Sequence, residues 1–170
     1  TEKQVEYAEK TGGFERIHLT MEQKLMPEYY QSRQGKEFTE WLVKLCETRK
    51  KLIVDTFDQD DKKEMFLEKH KIPKASVRFR ISDSHGCIVD EILKSNIDVT
   101  ILMTGGDTLM GYMKKIGCTQ IEPLCEIEQG IVASNITCHD HTVQVISKSG
   151  GFGTEDVMCI IAEKVIRKES

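Results

Sequence analysis

The run from Thr142 to Asp156, TVQVISKSGGFGTED, leaves this chain few folds to choose from. Val143, Val145 and Ile146 make an alternating, β-branched run, the pattern of a strand entering a core. It breaks at Lys148-Ser149-Gly150-Gly151-Phe152-Gly153. After the polar Thr154-Glu155-Asp156, a helical pattern of Val157, Met158, Ile160, Ile161, Val165 and Ile166 takes over. Strand, glycine loop and helix in that order leave free backbone N–H groups at a helix N-terminus, where the dipole favours an anion. Glycine also lets the backbone pass close to a ligand in conformations that a side chain forbids. Phosphate is the anion that suits such a turn.

The same order occurs upstream. Val99 to Met103 is a short apolar run with the profile of a buried strand. Thr104-Gly105-Gly106-Asp107-Thr108 follows at once, then a helical pattern of Leu109, Met110, Tyr112, Met113 and Ile116, closed by Gly117. Two such turns predict adjacent strands whose C-terminal ends face one ligand, the edge at which open α/β sheets bind. Neither loop has the spacing G-x-x-x-x-G-K-[ST] or G-x-G-x-x-G.

The remaining segments alternate between helix and strand. Thr1 to Lys10 reads as a capped helix stopped at Thr11-Gly12-Gly13, and a helix starting at the first residue suggests a chain cut from something longer. Phe14 to Leu19 alternates like a half-buried strand. Met21 to Tyr30, with Pro27, is a short helix or an irregular lead-in. Gly35 to Lys51 is an amphipathic helix with Phe38, Trp41, Leu42, Leu45 and Cys46 on one face. Leu52 to Val54 is a buried strand, and the charged Asp58 to His70 is a solvated helix or loop. Lys74 to Lys94 has helical spacing, with an expected break at Ser82-Asp83-Ser84-His85-Gly86. Gln120 to Ile127 and Gly130 to Ser134 read as β segments. Cys138-His139-Asp140-His141 reads as a polar turn rather than a metal site, because no second ligand pair stands at zinc-like spacing. The fold class expected is α/β, a mixed β-sheet flanked by helices, in a single domain over residues 1–170.

Composition narrows the partners. The chain of 170 residues is 39% hydrophobic and 31% charged, with a net charge of −4. That balance gives no electrostatic footprint for nucleic acid, and no apolar run approaches membrane-spanning length. Six scattered cysteines without a C-x-x-C pair read as reduced thiols of a cytoplasmic protein.

Three ordered motifs carry a resemblance: Thr104-Gly105-Gly106-Asp107-Thr108-Leu109, Glu126-Ile127-Glu128-Gln129-Gly130-Ile131 and Lys148-Ser149-Gly150-Gly151-Phe152-Gly153. Over most of its length the chain resembles the C-terminal nucleotide-binding domain of the four-carbon acid sugar kinases, long catalogued as a domain of unknown function. That family has a T-G-G-D-T turn, an E-I-x-x-G-[VI] segment and a K-S-G-x-F-G loop in this order. The resemblance implies an ATP-dependent kinase whose N-terminal domain, absent here, binds threonate, erythronate or a 3-oxo-tetronate. It also implies that a Gly-Ser pair just before Thr1 completes the nucleotide site, so the isolated chain is expected to be inactive. A homodimer is the assembly kept open, and the catalytic base is unassigned. The alternative is a non-catalytic nucleotide-binding or regulatory module.

On this reading the nucleotide site comprises Thr104, Gly105, Gly106, Asp107, Thr108, Lys148, Ser149, Gly150, Gly151 and Gly153. Asp107 beside phosphates would hold Mg²⁺, bind a ribose hydroxyl, or only cap its helix. Thr104 and Thr108 would donate hydroxyls to phosphate or bond locally in the turn. Lys148 would neutralise phosphate charge or serve as a structural lysine.

Overall fold

The computed structural model describes residues 1–57, 62–138 and 141–168. Its helices are α1 (Glu2–Thr11), α2 (Met21–Leu25), α3 (Arg33–Thr48), α4 (Lys62–Lys69), α5 (Val77–Lys94), α6 (Gly106–Ile116) and α7 (Val157–Lys168). Its strands are β1 (Glu15–His18), β2 (Leu52–Asp55), β3 (Ile101–Thr104), β4 (Glu122–Glu128), β5 (Ile131–Cys138) and β6 (His141–Lys148). Short 3₁₀ turns, Pro27–Gln31 and Lys74–Ser76, link the helices.

The strands form two sheets, a parallel pair β1-β2 and a four-stranded sheet in the order β3-β6-β5-β4. Within the larger sheet β3 runs parallel to β6, and the other two pairings are antiparallel. The mixed α/β class is therefore as the sequence predicts. Ile53 of β2 packs in one core cluster with Ile146 and Leu102. Its neighbours Leu52 and Val54 pack in another with Ile101 and Val99. The small parallel pair thus lies alongside β3, with Asp55, Thr104 and Lys148 all ending their strands.

Helices cover this arrangement with apolar faces. Val5 and Ala8 of α1 pack with Val157, Met158 and Ile161 of α7 against Ile131, Ala133 and Ile146. Tyr112 and Met113 of α6 join Val89, Met103, Ile136 and Val145. Leu42 of α3 is fully buried, whereas Trp41 is 45% exposed beside Phe38, so the buried face of α3 is narrower than the sequence pattern implies.

One expectation is corrected: α5 runs unbroken through Ser82–Gly86. Glycine and serine there are packing residues rather than breakers. A Cβ on Gly86 would lie 2.4 Å from the Gly111 carbonyl oxygen, and one on Gly111 would lie 1.9 Å from that of Ser82. The two helices cross backbone to backbone at these residues, and that contact offsets the poor helix propensity of glycine. The first part of the charged segment, Asp58 to Asp61, lies outside the described residues. So do His139 and Asp140 of the polar turn, which the pairing of Cys138 with His141 brackets. Among the described residues no group of three or more His, Cys, Asp or Glu could hold a metal ion. No described helix is long and apolar enough to cross a membrane.

Candidate functional site

Both glycine turns leave the C-terminal ends of neighbouring parallel strands. β3 and β6 pair from Ile101↔Val145 to Thr104↔Lys148, and the Gly105 N–H donates to the Lys148 carbonyl at 2.8 Å. That bond joins the first turn to the root of the second.

In the first turn Gly105 has φ +91°, in the left-handed region that favours glycine, and it starts α6 without a side-chain cap. Among the described residues the N–H groups of Gly106 and Asp107 meet no acceptor, while that of Thr108 donates to the Gly105 carbonyl at 3.2 Å. The Thr108 hydroxyl donates to the Thr104 carbonyl at 3.2 Å and lies 3.4 Å from His85 Nδ1, so its bonding is local to the turn. Asp107 is exposed, with its carboxylate 3.4 Å from Arg78 Nε, and its carbonyl accepts from the Ser82 hydroxyl. Its side chain is thus an exposed carboxylate at the mouth of the turn, with Arg78 as its ion-pair partner.

His85 lies beneath that turn. Its Nε2 is buried with no partner. Burial lowers its pKa to about 4, with the negative charge of Asp55 opposing the shift. Asp55 itself is buried at the end of β2 and gathers Arg16, the Phe57 N–H at 3.0 Å and His18 Nδ1 at 3.2 Å.

The second turn is held from inside. Lys148 is only 1% exposed, and its Nζ donates to the carbonyls of Ser149 at 3.0 Å and Gly150 at 3.1 Å. Burial pushes its pKa below the ordinary lysine value. Its ammonium therefore sits behind the loop, in the structural one of the two roles that the sequence allows it. Thr1 makes no cap bond to α1; its hydroxyl donates to the Gly150 carbonyl instead. Gln4 Nε2 lies 3.0, 2.9 and 3.1 Å from the carbonyls of Phe152, Gly153 and Thr154. Gly153 has φ +86°, whereas Gly151 lies outside that region and a Cβ there would meet nothing within 4 Å.

The Glu126–Ile131 segment supports the same loop. Gly130 has φ +72°, and a Cβ on it would lie 2.7 Å from the Phe152 ring. Its carbonyl accepts from the Ser149 N–H at 3.0 Å, and its own N–H donates to Glu126 Oε1 at 2.9 Å. The three motifs read separately in the sequence thus meet around one loop. Thr1, Gln4, Gly130, Phe152 and His85 are the contributors that sequence reasoning left without a role. Gly130, a glycine between two β segments, and Phe152, inside the third motif, carried a local signal. A groove lined by Pro27, Glu28, Gln31, Asp83, Gly111 and Lys114 includes no residue of either glycine turn.

No curated protein is similar enough to this chain to count as a relative. Among solved structures, a DUF1537 domain of unknown function from Bordetella bronchiseptica, a domain-swapped dimer with bound citrate, has a TM-score of 0.64 at 16% identity. A Haemophilus influenzae protein of the same family has a TM-score of 0.67 at 19% identity. The chain is covered to 95% and 96% in these alignments but spans only 35% and 37% of the two proteins. Likeness at such identity is likeness of fold. The family profile reaches further, for it matches residues 1–158, which include the first two motifs and the whole second glycine loop. The chain belongs to the family of nucleotide-binding C-terminal domains.

Proposed function

We propose that the two glycine turns hold the phosphates of ATP, and that residues 1–170 are the C-terminal, nucleotide-binding domain of a two-domain kinase for four-carbon acid sugars. The observation that carries the ATP site is the Gly105 N–H bond to the Lys148 carbonyl, which makes one surface of two turns. The acid sugar, of threonate, erythronate or 3-oxo-tetronate type, rests on the resemblance of the three motifs, and the two-domain arrangement is supported by the fold shared with much longer proteins. A non-catalytic nucleotide-binding module would keep the same turns and lack turnover. The free thiols of Cys46, Cys87, Cys118, Cys125 and Cys159 suit a cytoplasmic protein.

Phosphoryl transfer asks the protein for positioning and charge stabilisation more than for covalent chemistry. Here Gly106, Gly150, Gly151 and Gly153 bring backbone N–H groups to the phosphates, while the Gly105 N–H is taken by the Lys148 carbonyl and its left-handed φ shapes the first turn. Asp107 fits the part of a single carboxylate toward Mg²⁺, being exposed at the rim of the turn. Mg²⁺ is commonly held by one or two carboxylates together with phosphate oxygens, and when bound it offsets their charge. The sugar hydroxyl and the base that takes its proton come from the other domain.

Calorimetric titration with Mg-ATP, comparing parent and Gly151→Val, tests the site. A Cβ at position 151 would meet nothing within 4 Å in the free fold, so loss of binding in a folded variant reports ligand approach. Unaltered binding in that variant would remove the nucleotide from the loop. Full-length protein that neither binds Mg-ATP nor turns over a tetronate would overturn the kinase reading.

A further inference from the structure

In the second turn the protein bonds five carbonyls, while of the N–H groups only those of Ser149 and Phe152 find acceptors among the described residues, the Gly130 and Ser149 carbonyls. Lys148 and Thr1 take the carbonyls of Ser149 and Gly150, and Gln4 takes those of Phe152, Gly153 and Thr154. Across a planar trans peptide the C=O and the next N–H point in opposite directions. Carbonyls drawn inward at 149, 150, 152, 153 and 154 therefore turn outward the N–H groups of Gly150, Gly151, Gly153, Thr154 and Glu155. None of those five N–H groups meets a protein acceptor among the described residues.

The two side chains that do this are costly to bury. Gln4 is 5% exposed, and its Oε1 is left without a partner. Lys148 is 1% exposed, and no carboxylate is bonded to it among the described residues. An apolar side chain would pack at either place without the desolvation cost of an amide or an ammonium. What the polar pair fixes is an otherwise exposed loop.

We propose that Gln4 and Lys148 are the positioning residues of the anion site: they hold the loop carbonyls inward so that five N–H groups face the oxygens of a di- or triphosphate, with the Lys148 charge behind them. The inference rests on the anion reading of the loop made above. It adds that the site is set from α1, almost 150 positions upstream in sequence, and that its affinity follows the donor at position 4.

The test titrates the full chain with pyrophosphate and with ADP, comparing parent, Gln4→Glu and Gln4→Leu, each checked for folding by circular dichroism. Gln4→Glu keeps the shape but sets a carboxylate against three carbonyls. At pH 7.5 both variants should bind either ligand about 10- to 100-fold more weakly, the worth of a hydrogen-bond network to a charged group. The Gln4→Glu loss should shrink toward pH 5.5, as the carboxyl regains a proton to donate, while the Gln4→Leu loss should not. A merely structural role predicts equal binding by folded variants and no such pH dependence, and either result overturns the proposal. If Gln4→Glu fails to fold, unweakened binding by Gln4→Leu overturns it equally. Parent protein that binds pyrophosphate but not ADP leaves the inference standing and removes the nucleotide. Parent protein that binds neither ligand overturns both.

Discussion

His85 makes the stability of this domain depend on pH in a way that can be worked from its surroundings. The imidazole lies under the first turn of α6, 3.4 Å from Thr108 Oγ1, with Nε2 buried and unpartnered. Burial lowers its pKa from 6.5 to about 4. The unfolded chain therefore takes up a proton near pH 6.5, while the folded chain refuses it until about pH 4. Unfolding binds a proton between those values, so stability is full above pH 6.5 and falls as pH drops through the window. At 1.36 kcal/mol per pH unit the loss reaches about 2 kcal/mol by pH 5 and about 3 kcal/mol at pH 4. His85→Gln removes the titration and keeps a side chain able to bond Thr108. Urea unfolding at pH 7.5, 6 and 5 and fixed ionic strength would measure the difference between parent and variant. The parent should lose about 2 kcal/mol relative to the variant between pH 7.5 and 5. Parallel pH profiles would show that His85 titrates alike in both states and would refute the argument.

Two further outcomes follow from packing and exposure. Gly111→Ala should destabilise the fold by about 1–3 kcal/mol in thermal melts, because the new Cβ would stand 1.9 Å from the Ser82 carbonyl and must push α5 from α6. Cys125 is exposed, whereas Cys87 is buried and burial raises its thiol pKa. An aromatic disulfide reagent should therefore reach Cys125 well ahead of Cys87, and Cys125→Ser should remove one equivalent from the fast phase.

The turns and their flanking elements were legible because each is a local pattern. Val99 to Met103 and Val143 to Ile146 are apolar runs short enough for strands, and each meets glycine just before a helical period begins. Their adjacency could be argued from two similar turns, and the β3–β6 pairing bears it out. The failures are all long-range. Ser82 to Gly86 looked like a break, yet close contact with Gly111 overrides propensity there. Gln4 looked like part of an ordinary first helical turn, and nothing near it in sequence hints at carbonyls about 150 residues away. Lys148 ends a strand beside a glycine loop, which suits an outward lysine as well as an inward one. Only the packed structure decides that its ammonium turns back to Ser149 and Gly150.

The outer strand β4 has a consequence for how the domain behaves beside other copies of itself. As an edge it offers unpaired backbone to any passing strand, and most of its residues are exposed, Leu124 and Cys125 among them. Such edges are where sheets extend from one molecule to the next. Here Pro123 has no N–H to give, and two register shifts against β5 disturb the flat line that a neighbour would have to match. Glu122, Glu126 and Glu128 set like charges against a second copy of the same edge. Backbone chemistry and charge thereby oppose growth of the sheet on that side, and Lys164 of α7 takes the Ile127 carbonyl at the far end of the strand.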